Sequence, residues 1–229
     1  MGTLYIVATP IGNLGDITLR ALETLKEVDF VLAEDTRITK KLLSHYNIQT
    51  LLMSYHQHSK ESVMEKAFYL LSEGKNLALV TDAGTPGISD PGNELVAFLL
   101  NKDPVIKIVP MPGASALTAL ASIAGIPTDK FLFLGYPPHK RGRKKFFEEI
   151  AELKHPVIFY ESPHRIIKSL LELKNILDTK YQILNTHVVV GRELTKAFET
   201  VYRGSIDEVL KKVQKDKVRG EFVVLVAKP

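Results

Sequence analysis

The sequence predicts an α/β protein whose first sheet is largely parallel. Three observations carry that expectation. Short runs rich in Val, Ile and Leu alternate with segments whose apolar residues recur at helical spacing. Loops containing glycine and proline follow several of the runs, as at the strand-to-helix junctions of parallel sheets. The 229-residue chain is 45% hydrophobic and 24% charged, an ordinary globular balance with chain enough for one large domain or two small ones.

In chain order, residues 4–8 read as a first strand running into Thr9-Pro10-Ile11-Gly12-Asn13-Leu14-Gly15-Asp16. Asp16 stands where it can cap a helix over 17–27, which carries Leu22 and Leu25 on one side, with Val28 just beyond. A strand over 30–34 ends in Glu34-Asp35-Thr36-Arg37, and a helix over 36–45 follows. Residues 60–73 place Val63, Ala67, Leu70 and Leu71 at helical spacing, with Gly74 at the C-cap. The apolar run Leu77-Ala78-Leu79-Val80 reads as a buried strand. It leads into a loop over 82–92 that contains three glycines and two prolines. Asp90 suits the N-cap, and Pro91 the first position, of a helix over 93–100. A strand over 106–110 leads to Pro110-Met111-Pro112-Gly113-Ala114-Ser115-Ala116 and a small-residue helix over 114–124.

Later candidate strands are 131–134, 157–161, 187–191, 198–203 and 221–227, with a helix over 146–153. Ile166, Leu170, Leu173 and Leu177 mark a further helix. The last two strands read as an antiparallel pair, which makes the second sheet mixed. A boundary near residue 115 divides the chain into an N-terminal α/β domain, 1–115, and a C-terminal α/β domain, 116–229.

Composition excludes several classes. The chain has no cysteine, hence no disulfide, cysteine nucleophile or thiolate metal site, and this fits a cytoplasmic protein. The seven histidines form no HxxxH or HExxH pair, so no metal is expected. No apolar run reaches 18 residues, so no membrane span is expected. The N-terminus lacks a basic n-region, so secretion is not expected. A net charge of +4 permits a nucleic-acid partner without requiring one.

Five segments are candidates to carry chemistry. The loop over 82–92 is either a plain tight connection or a wall where a small ligand meets the main chain. The first loop is neither GxGxxG nor a Walker A loop. Glu34-Asp35-Thr36-Arg37 sets two carboxylates beside an arginine, fit to polarise a hydroxyl or hold a phosphate. Equally, Asp35 caps the next helix while Arg37 pairs with Glu34. Ser115 offers a hydroxyl beside helix N–H groups, although close helix–sheet packing accounts for the small residues as well. The run His139-Lys140-Arg141-Gly142-Arg143-Lys144-Lys145, five cations in seven residues, suits phosphate contacts or forms a solvated face.

Taken together, the stretches 4–16, Ala33-Glu34-Asp35-Thr36-Arg37, 81–92, Pro112-Gly113-Ala114-Ser115-Ala116-Leu117, Phe159-Tyr160-Glu161-Ser162-Pro163-His164-Arg165, Gly191-Arg192-Glu193-Leu194-Thr195-Lys196 and Gly220-Glu221-Phe222-Val223 resemble the tetrapyrrole-methylase superfamily of S-adenosylmethionine-dependent enzymes. Within it, the chain is most similar to the branch that methylates the 2′-hydroxyl of a cytidine ribose in small-subunit (16S) ribosomal RNA. The resemblance implies two α/β domains, S-adenosylmethionine in the cleft between them, and a homodimer. By motif it assigns Pro10, Thr85, Ile88, Ser115, Ala116, Tyr160, Glu193 and Gly220 to the methyl donor. Thr85 stands where relatives in the wider superfamily carry the aspartate of a Gly-Asp-Pro motif, which favours contacts through the main chain there.

The implied reaction moves a methyl group to a weakly nucleophilic ribose hydroxyl, and a general base helps. Asp35 and Glu161 are the candidates, with Glu34 behind them and Arg37 on a backbone phosphate. Glu161 equally reads as an ion-pair partner of Arg165. Lys140, Arg141, Arg143, Lys144 and Lys145 are expected to bind RNA, free or within the small (30S) ribosomal subunit. The alternative reading is a methyltransferase acting on a small tetrapyrrole-type ring, which the basic run and Glu34–Arg37 suit less well.

Overall fold

A computed structural model describes residues 1–56, 61–90, 92–183 and 186–229. The chain divides into two compact units, Met1–Ser115 and Ala116–Pro229.

The first unit alternates strand and helix: β1 (Thr3–Val7), α1 (Leu19–Glu27), β2 (Phe30–Ala33), α2 (Thr36–His45), β3 (Leu51–Ser54), α3 (Glu61–Ser72), β4 (Leu77–Val80), α4 (Gly92–Lys102) and β5 (Lys107–Met111). Its sheet has the order β3-β2-β4-β1-β5, and every pairing is parallel. Strands of such a sheet are covered on both faces, so their residues are apolar without a polar alternation. Ala78 and Val80 pack with Ala21, Leu25 and Leu43 on one face. Leu77 and Leu79 pack with Ala67, Leu71, Leu95 and Leu99 on the other.

The second unit comprises α5 (Ala116–Ile123), β6 (Leu132–Phe133), α6 (Arg143–Glu152), β7 (Val157–Glu161), α7 (Ile166–Asn175), β8 (His187–Arg192), β9 (Thr200–Ser205), α8 (Ile206–Lys215) and β10 (Phe222–Ala227). Its sheet, β6-β7-β10-β8-β9, is mixed, with β6 parallel to β7 and the remaining pairings antiparallel. Phe147, Phe159, Leu170, Val190, Val209 and Val224 centre its core, while α5 packs against β8 and β10.

Four sequence expectations need correction. The last two strands are not a pair, because β8 lies between β9 and β10. Asp16 belongs to a short 3-10 turn, and Thr18 caps α1 by accepting from the Ala21 N–H at 3.1 Å. The sequence reading has no counterpart of β3 or α8. Helix α6 starts at Arg143 rather than Phe146, which decides the role of Arg143 below.

Candidate active site

The three loops containing glycine and proline leave neighbouring strands. In the order β4-β1-β5 the carboxyl ends lie side by side, and the loops they emit are bonded to one another. Thr9 and Gly84 exchange backbone hydrogen bonds of 2.9 and 3.1 Å. The Thr9 hydroxyl donates to the Thr81 carbonyl at 3.0 Å, and the Thr85 hydroxyl to the Ala114 carbonyl at 3.2 Å. Gly84 holds a φ of +91°, and a Cβ on Gly113 would fall 2.9 Å from that of Ala8. These positions need glycine, which leaves main chain bare for a ligand at the rim. Asp90 Oδ1 accepts from the Gly87 and Gly92 N–H groups at 2.6 and 2.9 Å, so this carboxylate fastens the loop to the start of α4. Pro91 lies outside the described residues.

Of the residues expected to meet the donor, Pro10 is buried beside this rim, Thr85 is committed to Ala114, and Ile88 is exposed. Ser115 and Ala116 are half-buried where the third loop gives way to α5.

Next to the rim, the loop after β1, the end of β4 and α2 enclose a pocket of about 200 Å³, with Pro10, Lys41, Thr81 and Asp82 in its wall. The acidic cluster sits here. Asp35 caps α2 by accepting from the Arg37 N–H at 2.8 Å. The Arg37 guanidinium folds back onto the same carboxylate, with Nη2 2.6 Å from Oδ2. That contact holds the Asp35 carboxyl down at about 2. The Thr81 hydroxyl donates to Glu34 Oε2 at 2.7 Å. Asp82 Oδ1 accepts from the Asp35 N–H at 3.0 Å. Burial, followed by the nearby charges of Glu34 and Asp35, pushes the Asp82 carboxyl above its ordinary value.

In the second unit, Tyr160 lies on β7 against the rings of Phe133 and Tyr136, with centroids at 4.9 and 5.5 Å. Glu161 is a correction. Its side chain is fully buried and every oxygen is engaged. Oε1 accepts from the Ser162 N–H at 2.7 Å and meets Arg165 Nη2 at 2.9 Å. Oε2 accepts from the Ser169 hydroxyl at 2.5 Å and lies 3.7 Å from Arg143 Nη1. A carboxylate so enclosed holds its own unit together and is not offered to a substrate proton.

Arg143 is the matching correction. It is only 5% exposed and donates to Ser169 Oγ at 2.7 Å and to Glu172 Oε2 at 2.6 Å, so its guanidinium is committed within its own unit at the wall of the pocket described next. Lys140, Arg141, Lys144 and Lys145 are exposed. Lys140 and Lys144 share an open pocket of about 450 Å³ with Lys168 of α7, which the charge run did not include. The first turn of α6 holds no acid, and its N-cap, Gly142, makes no side-chain cap bond. Cations at an uncapped helix N-terminus oppose the helix dipole, and an anion there relieves the cost.

Glu193 and Gly220 meet at the same end of this sheet, since Phe222 pairs with both Glu161 and Arg192. Glu193 Oε1 accepts from Lys196 Nζ at 2.8 Å and from the Glu221 N–H at 2.9 Å. Burial opposes its charge, but these donors hold the carboxyl below its ordinary value. Gly220 has a φ of +83°, and a Cβ there would fall 2.2 Å from Glu193 Cδ. Only glycine fits beside Glu193.

Residues 3–210 match the family model described as tetrapyrrole (corrin/porphyrin) methylases. The chain belongs to the tetrapyrrole methylase family. Among tetrapyrrole methylases it is 47% identical over 227 residues to a protein of Halalkalibacterium halodurans named ribosomal RNA small subunit methyltransferase I, covering 98% of this chain and 75% of that protein. Proteins of the same name from Bacillus subtilis and Escherichia coli O157:H7 are 46% and 43% identical over 228 residues, covering 99% and 98% of this chain and 75% and 77% of theirs. The tetrapyrrole methylase fold is shared with a solved cobalt precorrin-4 methyltransferase, at a TM-score of 0.71 and 20% identity over 98% of this chain and 94% of that one. It is also shared with uroporphyrin-III C-methyltransferase of Thermus thermophilus, solved with S-adenosylhomocysteine, at a TM-score of 0.66 and 19% identity over 99% and 97% of the two chains.

Proposed function

We propose that this chain transfers a methyl group from S-adenosylmethionine to the 2′-hydroxyl of a cytidine ribose in small-subunit ribosomal RNA. The observation that carries the reading is the identity of 43–47%, over nearly the whole chain, to proteins named for ribosomal RNA small subunit methylation. The sulfonium of the donor supplies an activated methyl group. What the chain supplies is position: attacking oxygen, methyl carbon and sulfur must be held in line.

The interlocked loops after β1, β4 and β5 fit the donor, because their glycines expose main chain that side chains would cover. Pro10, Thr85, Ile88, Ser115 and Ala116 belong to the donor site by motif, and the same motif reading assigns Tyr160, Glu193 and Gly220 to the donor. Lys140, Arg141, Lys144 and Lys145, together with Lys168, hold backbone phosphates, and Arg37 presents its exposed outer edge to the same polyanion. Among the described residues no helix is long and apolar enough to cross a membrane. A homodimer acting in the cytoplasm on RNA within the 30S subunit completes the reading.

The test incubates the protein with labelled S-adenosylmethionine and small ribosomal subunits, then maps any methylated ribose. A single 2′-O-methylated cytidine is expected. Tight S-adenosylhomocysteine binding with no label in RNA, and label in a tetrapyrrole substrate instead, would overturn the reading.

A further inference from the structure

Two acids that the sequence offers as the base are spoken for. The Asp35 carboxylate is gripped by Arg37, and Glu161 is sealed among Arg143, Arg165, Ser162 and Ser169. Glu34 receives the Thr81 hydroxyl. A fourth carboxylate, one residue past Thr81, stands differently.

Asp82 lies in the wall of the pocket between α2 and the loop after β1. Its Oδ1 is fixed by the Asp35 N–H, while its Oδ2 has no hydrogen-bond partner among the described residues. One oxygen is thus anchored and the other is uncommitted, in a residue that lines a pocket beside the bonded loops. Thr9 and Pro10 contribute to both features, so pocket and rim are contiguous. We infer that Asp82 is the general base, and that this pocket receives the ribose whose hydroxyl is methylated. The inference rests on the reading of the chain as a ribose methyltransferase.

The chemistry balances simply. Asp82 Oδ2 takes the proton of the 2′-hydroxyl as the new oxygen–carbon bond forms and the carbon–sulfur bond of the sulfonium breaks. S-Adenosylhomocysteine leaves, and the proton passes from Asp82 to water. The charged groups facing this carboxylate are Glu34 and Asp35 at the end of β2, and Arg37 and Lys41 on α2. The portion of the β1 loop in the pocket wall brings none. Burial and the two acids raise the affinity of Asp82 for a proton while Arg37 opposes them, so it is a stronger base than Asp35.

The test compares wild type with Asp82→Asn on small ribosomal subunits at saturating donor, alongside calorimetric titration with S-adenosylhomocysteine. Asp82→Asn keeps an acceptor for the Asp35 N–H, so the fold and S-adenosylhomocysteine affinity stay as in wild type. kcat falls by about 10²–10⁴-fold, the usual range for loss of a positioned base. The wild-type rate rises with pH along a limb set by Asp82, and that limb is absent in the variant. Asp35→Asn, read in parallel, leaves the limb in place. Wild-type turnover with an Asp82→Asn rate within threefold of it, or an unchanged limb, overturns the assignment. Loss of S-adenosylhomocysteine binding overturns it too, by placing Asp82 in the donor site. If the variant does not fold, an Asp35→Asn enzyme that has lost the limb overturns it instead. Wild-type enzyme inactive on ribosomal RNA defeats the underlying reading, and this assignment falls with it.

Discussion

Arg37 grips Asp35 at both oxygens, with Nε 3.0 Å from Oδ1 and Nη2 2.6 Å from Oδ2. The pair sits at the start of α2, where Asp35 also serves as the cap. A carboxyl held at about 2 stays ionised until well below the ordinary range. Any stability it contributes is therefore present above its unfolded value and lost as pH falls toward 2. Arg37→Ala removes the largest cause of the shift. Carboxyl-carbon NMR is expected to show Asp35 titrating near 2 in wild type and clearly higher in Arg37→Ala.

The buried cluster of Glu161, Arg143, Arg165 and Ser169 predicts a stability defect rather than a catalytic one. Removing one partner of a buried ion pair leaves the other charge stranded, at a cost of about 3–5 kcal/mol. Glu161→Ala strands two arginines, and Arg143→Met strands Glu172 along with Glu161. Urea denaturation should show losses of that order for both. Glu161→Gln, which keeps hydrogen bonds to Ser162 and Ser169, should lose less and retain kcat in its folded fraction.

At Gly220 the backbone itself is the constraint. Its φ of +83° and the closeness of Glu193 leave no room for a methyl group. Alanine where φ is positive costs more than about 1 kcal/mol. Gly220→Ala is expected to lower the melting temperature and, by displacing Glu193, to weaken S-adenosylhomocysteine binding in calorimetry at least tenfold.

The basic face makes a prediction about salt. Each single-stranded phosphate neutralised contributes about −0.7 to the slope of log affinity against log salt. Lys140→Ala, Lys144→Ala and Lys168→Ala should each weaken RNA binding and make the slope shallower by about that amount. S-Adenosylhomocysteine affinity should not move. Arg141→Ala belongs with these three, whereas Arg143→Ala should show its effect in the unfolding transition.

How far the sequence reaches is clear from particular residues. The strands of the first sheet announce themselves because both faces are buried, so runs such as Leu77–Val80 are apolar throughout. β3 hides because it is a four-residue edge strand with exposed ends. α8 was readable: Ser205 and Glu208 form a capping box, and Ile206, Val209, Leu210 and Val213 recur on one face. Arg143 was readable too, since positions 143, 146, 147 and 150 share a helical face and the last three are Phe, Phe and Ile. A tally of charge along the run conceals that geometry. The pairing of β10 with β8 was not readable, because neighbours in sequence are the default partners and α8 carries the chain past that arrangement. Asp82 was passed over because a loop rich in glycine and proline draws attention to its backbone, and only the fold shows that it lines a pocket.

The place of β1 has a consequence for synthesis of the protein. β1 leaves the ribosome well before its partners β4 and β5, whose residues begin at Leu77 and Lys107. Until β4 has emerged, Leu4 and Val7, both fully buried in the finished unit, have no sheet to join. Long-range parallel pairing of this kind is slow to form. A nascent chain halted before β4 therefore displays the apolar β1 segment, suited to a chaperone. The bonds between the loops after β1 and β4 wait on that pairing, and the loop after β5 joins them last.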